Sequence, residues 1–133
     1  IESGVVESSQ HHWTIVAESW YAAEEMENSL FAWEQAGSLA AGGEIDLRRA
    51  YILVDLERWQ EAGEALDRAL GKDGLDEKAA AEAYLLRGLA RFELGQFDSA
   101  HSDWSKAARY ENTREAARQW MNHLEEERRR RAS

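Results

Sequence analysis

At 133 residues, without cysteine or proline, the chain is sized for one domain and excludes disulfides and thiolate metal sites. A formal net charge of −10 excludes a general role on nucleic acid, whose backbone is bound by cationic neutralisation. No run of about eighteen apolar residues is present, so no direct membrane span is predicted.

Residues 1–9 are expected to form a flexible N-terminal segment. The chain opens on Ile1 instead of methionine, which fits an excised or processed piece. A single domain is expected over 10–130. Within 10–42, Trp13, Val16, Ala17 and Trp20 recur at helical spacing, then Met26, Ser29, Leu30, Trp33 and Ala36 do so on a second helix stopped by Gly37. Within 43–75, Ile45, Arg49, Ala50, Leu53 and Leu56 mark one helix, and Trp59 to Leu70 a second, with Gly71 as its stop. The turn-forming run Gly71-Lys72-Asp73-Gly74 precedes a new helical start near Asp76.

Within 81–111, Tyr84, Leu85, Gly88, Leu89 and Phe92 share a helix face, Gly95-Gln96 interrupts, and Phe97, Ala100, Trp104 and Ala107 resume the rhythm. Small residues at Gly88 and Ala100 predict a close helix crossing, with the rings of Tyr84, Phe97 and Trp104 filling the space around it. Asn112-Thr113-Arg114-Glu115 reads as a helix N-cap with a glutamate beyond it. The stripe Ala116, Ala117, Trp120, Met121 and Leu124 predicts a capping helix over 113–130. Its end, Glu125 to Arg131, is wholly charged. The run Arg128 to Arg131 reads as a solvated helix end suited to the helix dipole; the alternative is contact with an acidic protein, a phosphate or a membrane surface.

One spacing is repeated three times: Ala17, Met26, Ser29, Trp33, Ala36; Ala50, Trp59, Ala62, Leu66, Ala69; and Gly88, Phe97, Ala100, Trp104, Ala107. The units are offset by 33 and then 38 residues. This pattern predicts an all-α, right-handed helical-repeat solenoid of three helix pairs plus a C-terminal capping helix.

On these residues the chain resembles the tetratricopeptide-repeat (TPR) family, with Trp13 and Tyr84 at the place of an aromatic early in the first helix. Asp46 stands where that aromatic is expected in the second unit, and Ser29 replaces alanine at a helix crossing. The resemblance implies a binding scaffold. The family's chaperone-binding members hold a C-terminal carboxylate with groove lysines and asparagines; here the matching places carry Thr14, Glu18, Leu47, Tyr51, Leu85 and Leu89, so that clamp is absent. The segment 116–125 is also similar to the last helix of bacterial envelope repeat proteins associated with TonB-type systems. This implies the bacterial periplasm or cell envelope, with the cytoplasm as the alternative.

The first helices of such a solenoid line its concave side. The candidate partner-binding stripe is therefore Tyr21, Leu47, Tyr51, Val54, Leu85, Leu89 and Phe92, flanked by Thr14, Glu18, Asp55 and Glu93. The alternative for Leu85 and Leu89 is packing between units. The expected partner is a protein or peptide, apolar or mildly basic, extended or helical. A second reading is a self-associating module of a longer array, a homo-oligomer with Trp13 and Trp20 in the contact. His11, His12, His101 and His123 fit neither an HExxH-like spacing nor a nucleophile pair, so neither catalysis nor a cofactor is expected.

Overall fold

The computed structural model describes residues 2–132, with side chains from Ser9 onward. Among them are seven helices: α1 (Glu2–Ala22), α2 (Met26–Leu39), α3 (Glu44–Asp55), α4 (Trp59–Gly71), α5 (Glu77–Glu93), α6 (Phe97–Ala107) and α7 (Arg114–Ala132). The pairs α1/α2, α3/α4 and α5/α6 are the three predicted units, stacked in order, and α7 closes the stack against α6 and α5. This is an all-α helix-pair solenoid with a terminal helix. The backbone of the 1–9 segment is helical from Glu2 onward, as the first turns of α1.

Each pair is joined by the same turn. Glu25 N–H donates to the Trp20 carbonyl at 2.9 Å and Glu24 N–H to that of Tyr21 at 3.0 Å; Arg58/Leu53 and Glu57/Val54 repeat this, as do Gln96/Arg91 and Gly95/Phe92. This double closure of a helix end needs one left-handed residue. Glu24 (φ 62°), Glu57 (φ 57°) and Gly95 (φ +79°) supply it. Only the third unit uses glycine, which is why its turn is the easiest to read in the sequence. In the other two a glutamate accepts the left-handed strain.

The small residues meet where the spacing requires. Ala17, Ser29, Ala50, Ala62 and Ala100 are fully buried. Ser29, in place of alanine, spends its hydroxyl locally: Oγ donates to the Ala17 carbonyl at 2.8 Å across the α1–α2 crossing. At the α5–α6 crossing a Cβ on Gly88 would lie 2.6 Å from Trp104 Cδ1, so only glycine lets the indole pass. Around these crossings lie two apolar clusters. One is centred on Trp33, Leu53 and Leu66. The other is centred on Trp104 and Leu124, with Phe92, Phe97 and Trp120 packed on it.

Two predicted helix boundaries are corrected. Gly37 does not stop α2, which continues to Leu39. A Cβ there would lie 2.7 Å from Asp46 Oδ1, so Gly37 is a close-approach position between α2 and α3. Asp46 itself is buried and pairs with Lys72 Nζ at 2.7 Å and Arg68 Nη2 at 3.5 Å, a polar answer to the missing aromatic. The predicted cap at Asn112 is not made: α7 starts at Arg114, Asn112 Nδ2 donates to the Lys78 carbonyl at 3.4 Å, and the Thr113 hydroxyl donates to the Ala107 carbonyl at 2.7 Å, at the end of α6. The start near Asp76 stands, and the Asp76 carboxylate accepts from Ala79 N–H at 2.8 Å.

The arginine-rich end of α7 is engaged within the chain. Arg128 pairs with Asp98 at 2.7 Å, and Arg130 and Arg131 pair with Glu127 at 2.9 and 3.2 Å. Arg131 also stands 4.9 Å from the centre of the Phe97 ring.

Candidate functional site

The first helices do not approach one another evenly. Helices α3 and α5 meet, as do α5 and α7, but among the described residues no Cα of α1 lies within 8 Å of one in α3. The gap opens a pocket of about 310 Å³ lined by Glu18, Tyr21, Trp33, Arg48, Tyr51, Ile52 and Asp55. Tyr21 comes from the α1 wall and Tyr51 from the α3 wall. Trp33 of α2, almost wholly buried, forms the floor.

Of the seven predicted stripe residues, the structure brings Tyr21 and Tyr51 together here, 49% and 40% exposed. The others sit elsewhere. Leu47 is only 6% exposed and belongs to the first core cluster, so its expected place on the groove surface is corrected. Val54 is half-buried against the same cluster. Leu85 and Leu89 pack on the second cluster, the alternative that the sequence left open for them. Phe92 is enclosed by rings: its centroid is 5.4 Å from Phe97, 5.8 Å from Trp104 and 6.3 Å from Trp120. Helix α7 covers the stretch of groove that the third unit was expected to offer.

The sequence reading missed Trp33, Arg48 and Ile52. Its chosen positions on α3, Leu47, Tyr51 and Val54, follow a four-then-three spacing. Arg48, Tyr51 and Asp55 follow three-then-four, a face rotated by roughly 65°. That phase faces the pocket. A signal was available, because the Leu47 face continues the stripe of buried Ala50 and Leu53.

Two of the pocket's charges, Glu18 and Arg48, hold each other in place. Arg48 Nη1 lies 3.1 Å from Glu18 Oε1, while its guanidinium carbon stands 5.5 Å from the centre of the Trp33 ring. The Tyr51 hydroxyl donates to Glu82 Oε2 of α5 at 2.6 Å, tying that α3 ring to α5. Burial first, then this hydrogen bond and the Glu82 charge, push the Tyr51 phenol above its ordinary value of 10.0. The Tyr51 contribution to phenolate absorbance, taken as wild type minus Tyr51→Phe, is therefore expected to rise at a pH above 10.0. Because the folded value is the raised one, the stabilisation from this bond is complete below pH 10.0 and fades as pH climbs through the folded value. Ionisation of Tyr51 at its ordinary pH would exclude the Glu82 bond in solution.

Among the described residues no cluster of three His, Cys, Asp or Glu side chains is placed to hold a metal ion, and no helix is long and apolar enough to cross a membrane. His11, His12, His101 and His123 are all exposed, and His123 stacks 5.4 Å from Phe92.

No protein-family model matches the sequence, and no curated protein matches it. Solved structures do. The TPR domain of Arabidopsis OM64 is similar with a TM-score of 0.74 and 21% identity, over 92% of this chain and 98% of that one. The second TPR domain of human RPAP3, in complex with the HSP70 peptide SGPTIEEVD, gives 0.71 and 17%, over 87% and 98%. The second TPR of Spaghetti (RPAP3), bound to the HSP90 peptide SRMEEVD, gives 0.65 and 18%, over 80% and 90%. The fold is therefore that of tetratricopeptide-repeat domains.

Proposed function

We propose that the chain is a non-catalytic protein-interaction scaffold that seats a peptide or helical segment on its concave face, at the pocket between α1 and α3. One observation carries the reading: Tyr21 and Tyr51 remain half-exposed on facing walls above a buried tryptophan, in a fold whose solved relatives include peptide complexes. Aromatic side chains offer large contact area at small entropy cost, as binding surfaces require.

The ligand class differs from that of the RPAP3 domains, whose peptides end in Glu-Glu-Val-Asp. Here Glu18 and Asp55 line the pocket against the single cation Arg48, and Glu82 stands just behind Tyr51. An acidic peptide would meet like charge, so an apolar or mildly basic segment is favoured.

The test compares capture of partners by the wild-type domain and by a Tyr21→Ala/Tyr51→Ala variant with unchanged helicity. Loss of a specific partner, a drop in affinity of tenfold or more, is expected. Equal capture would remove the site. Phe92→Ala is unsuitable for this purpose, because it would empty the aromatic cluster under α7.

A second reading, self-association, is favoured by the exposure of Trp20 (39%) and Phe31 (57%), with Trp13 packed edge-on against Phe31 at 5.9 Å. Sedimentation that changes with concentration would move it ahead. A periplasmic location is a further proposal, supported by the sequence of segment 116–125 alone.

A further inference from the structure

We infer that the α1–α3 pocket takes the guanidinium of an arginine carried by the bound segment, stacked against Tyr21 and Tyr51 and neutralised by Asp55; this rests on the scaffold reading above. The molecule already shows the chemistry in the same pocket, where Arg48 lies over Trp33 while paired with Glu18. A flat, weakly hydrated cation suits such aromatic surfaces better than an ammonium does.

A comparison within the chain shows why this place stays open. Trp104 occupies the same repeat position as Trp33, yet it is stacked by Trp120 of the next helix at 5.6 Å and flanked by Phe92 at 5.8 Å. Its Nε1 donates to the Leu85 carbonyl at 3.0 Å. Over Trp33 the next helix, α3, sets Arg48 and leaves the pocket beside it, and the buried Trp33 Nε1 has no acceptor among the described residues.

Asp55 supplies the unmatched charge. Glu18 is tied to Arg48, and Glu82 to the Tyr51 hydroxyl, whereas Asp55 lines the pocket with no ion-pair or hydrogen-bond partner among the described residues. It is also the last residue of α3, where the helix dipole disfavours a carboxylate. Its exposed carboxylate is open to a cationic ligand at the pocket.

The experiment titrates the 15N-labelled domain with three pentapeptides, Ac-Ala-Leu-X-Leu-Ala-NH2, in which X is arginine, citrulline or glutamate. The arginine peptide is expected to shift the Trp33 indole N–H and the amides of Tyr21, Tyr51 and Asp55, and to bind about tenfold more tightly than its neutral citrulline isostere. Asp55→Asn, which relieves a dipole conflict and should fold normally, is expected to weaken the arginine peptide about fivefold and leave the citrulline peptide unchanged. A glutamate peptide that bound as tightly at these residues would overturn the arginine assignment while sparing the site. Shifts confined to another face would overturn both. Absence of binding by the arginine peptide at millimolar concentration would overturn the arginine assignment, leaving the scaffold reading to the double-variant capture.

Discussion

Trp104→Ala is expected to lower the unfolding free energy by about 3–5 kcal/mol, a large part of the roughly 5–15 kcal/mol that holds a domain of this size together. The indole is fully buried, passes over Gly88, stacks on Trp120 and donates its N–H to the Leu85 carbonyl. Removing it leaves a cavity that rigid helix backbones cannot close, and loses the second hydrogen bond to a carbonyl already inside α5. The cavity opens beneath α7, whose buried residues Ala117 and Leu124 belong to the same cluster. Urea unfolding followed by far-ultraviolet circular dichroism measures the loss. Hydrogen exchange should show α7 deprotected well before α3. A loss under about 1 kcal/mol would mean that the cluster relaxes freely, and the keystone role given to Trp104 would fail.

Asp103→Ala is expected to cost about 3 kcal/mol, towards the lower end of what removing one member of a buried ion pair takes. The Asp103 carboxylate is buried in α6 and receives Arg87 Nε and Nη2 of α5 at 3.0 and 2.8 Å, and Arg91 Nη1 at 2.8 Å. Arg87 also reaches Asp67 of α4 at 2.9 Å, so one network ties the second unit to the third. Burial alone would lower the Arg87 pKa, but bonding and attraction to Asp103, then to Asp67, outweigh it and leave it raised. A raised arginine contributes its stabilisation fully below its ordinary unfolded value, so mildly alkaline solution leaves the network intact. The cost stays at the lower end because Asp67 remains to Arg87 and Arg91 reaches solvent. An Asp103→Leu/Arg87→Met double variant is expected to recover part of the loss, since it removes the stranded cation as well as its partner. Chemical denaturation of the single and double variants gives both values. Equal stability of Asp103→Ala and wild type would show that the network contributes nothing net.

The repeat spacing was legible because it is local. Helix pairs, turns and small residues at crossings are set by three- and four-residue periodicity and by local features such as the left-handed Gly95 and the Asp76 cap. Two polar departures hid their roles. Asp46 read as a missing aromatic, yet it binds Lys72 and Arg68 in the interior. Asn112 read as a helix cap, yet its side-chain amide reaches the Lys78 carbonyl in the first turn of α5. A short polar side chain has several partners within reach, and only the path of the chain selects among them.

The candidate site was legible in part. Tyr21 and Tyr51 were found from their places on first helices, but Phe92 carries the same signal and is walled in by α7. Sequence by itself determined the helix pairs, their order and the cap, because each depends on patterns within a few turns of chain. Tertiary structure alone decided that α1 and α3 stand apart while α5 and α7 close, and which phase of α3 faces the gap. Those outcomes turn on what fills the space above two tryptophans at the same repeat position: Trp120 covers one, while Arg48 stands over the other beside an open pocket.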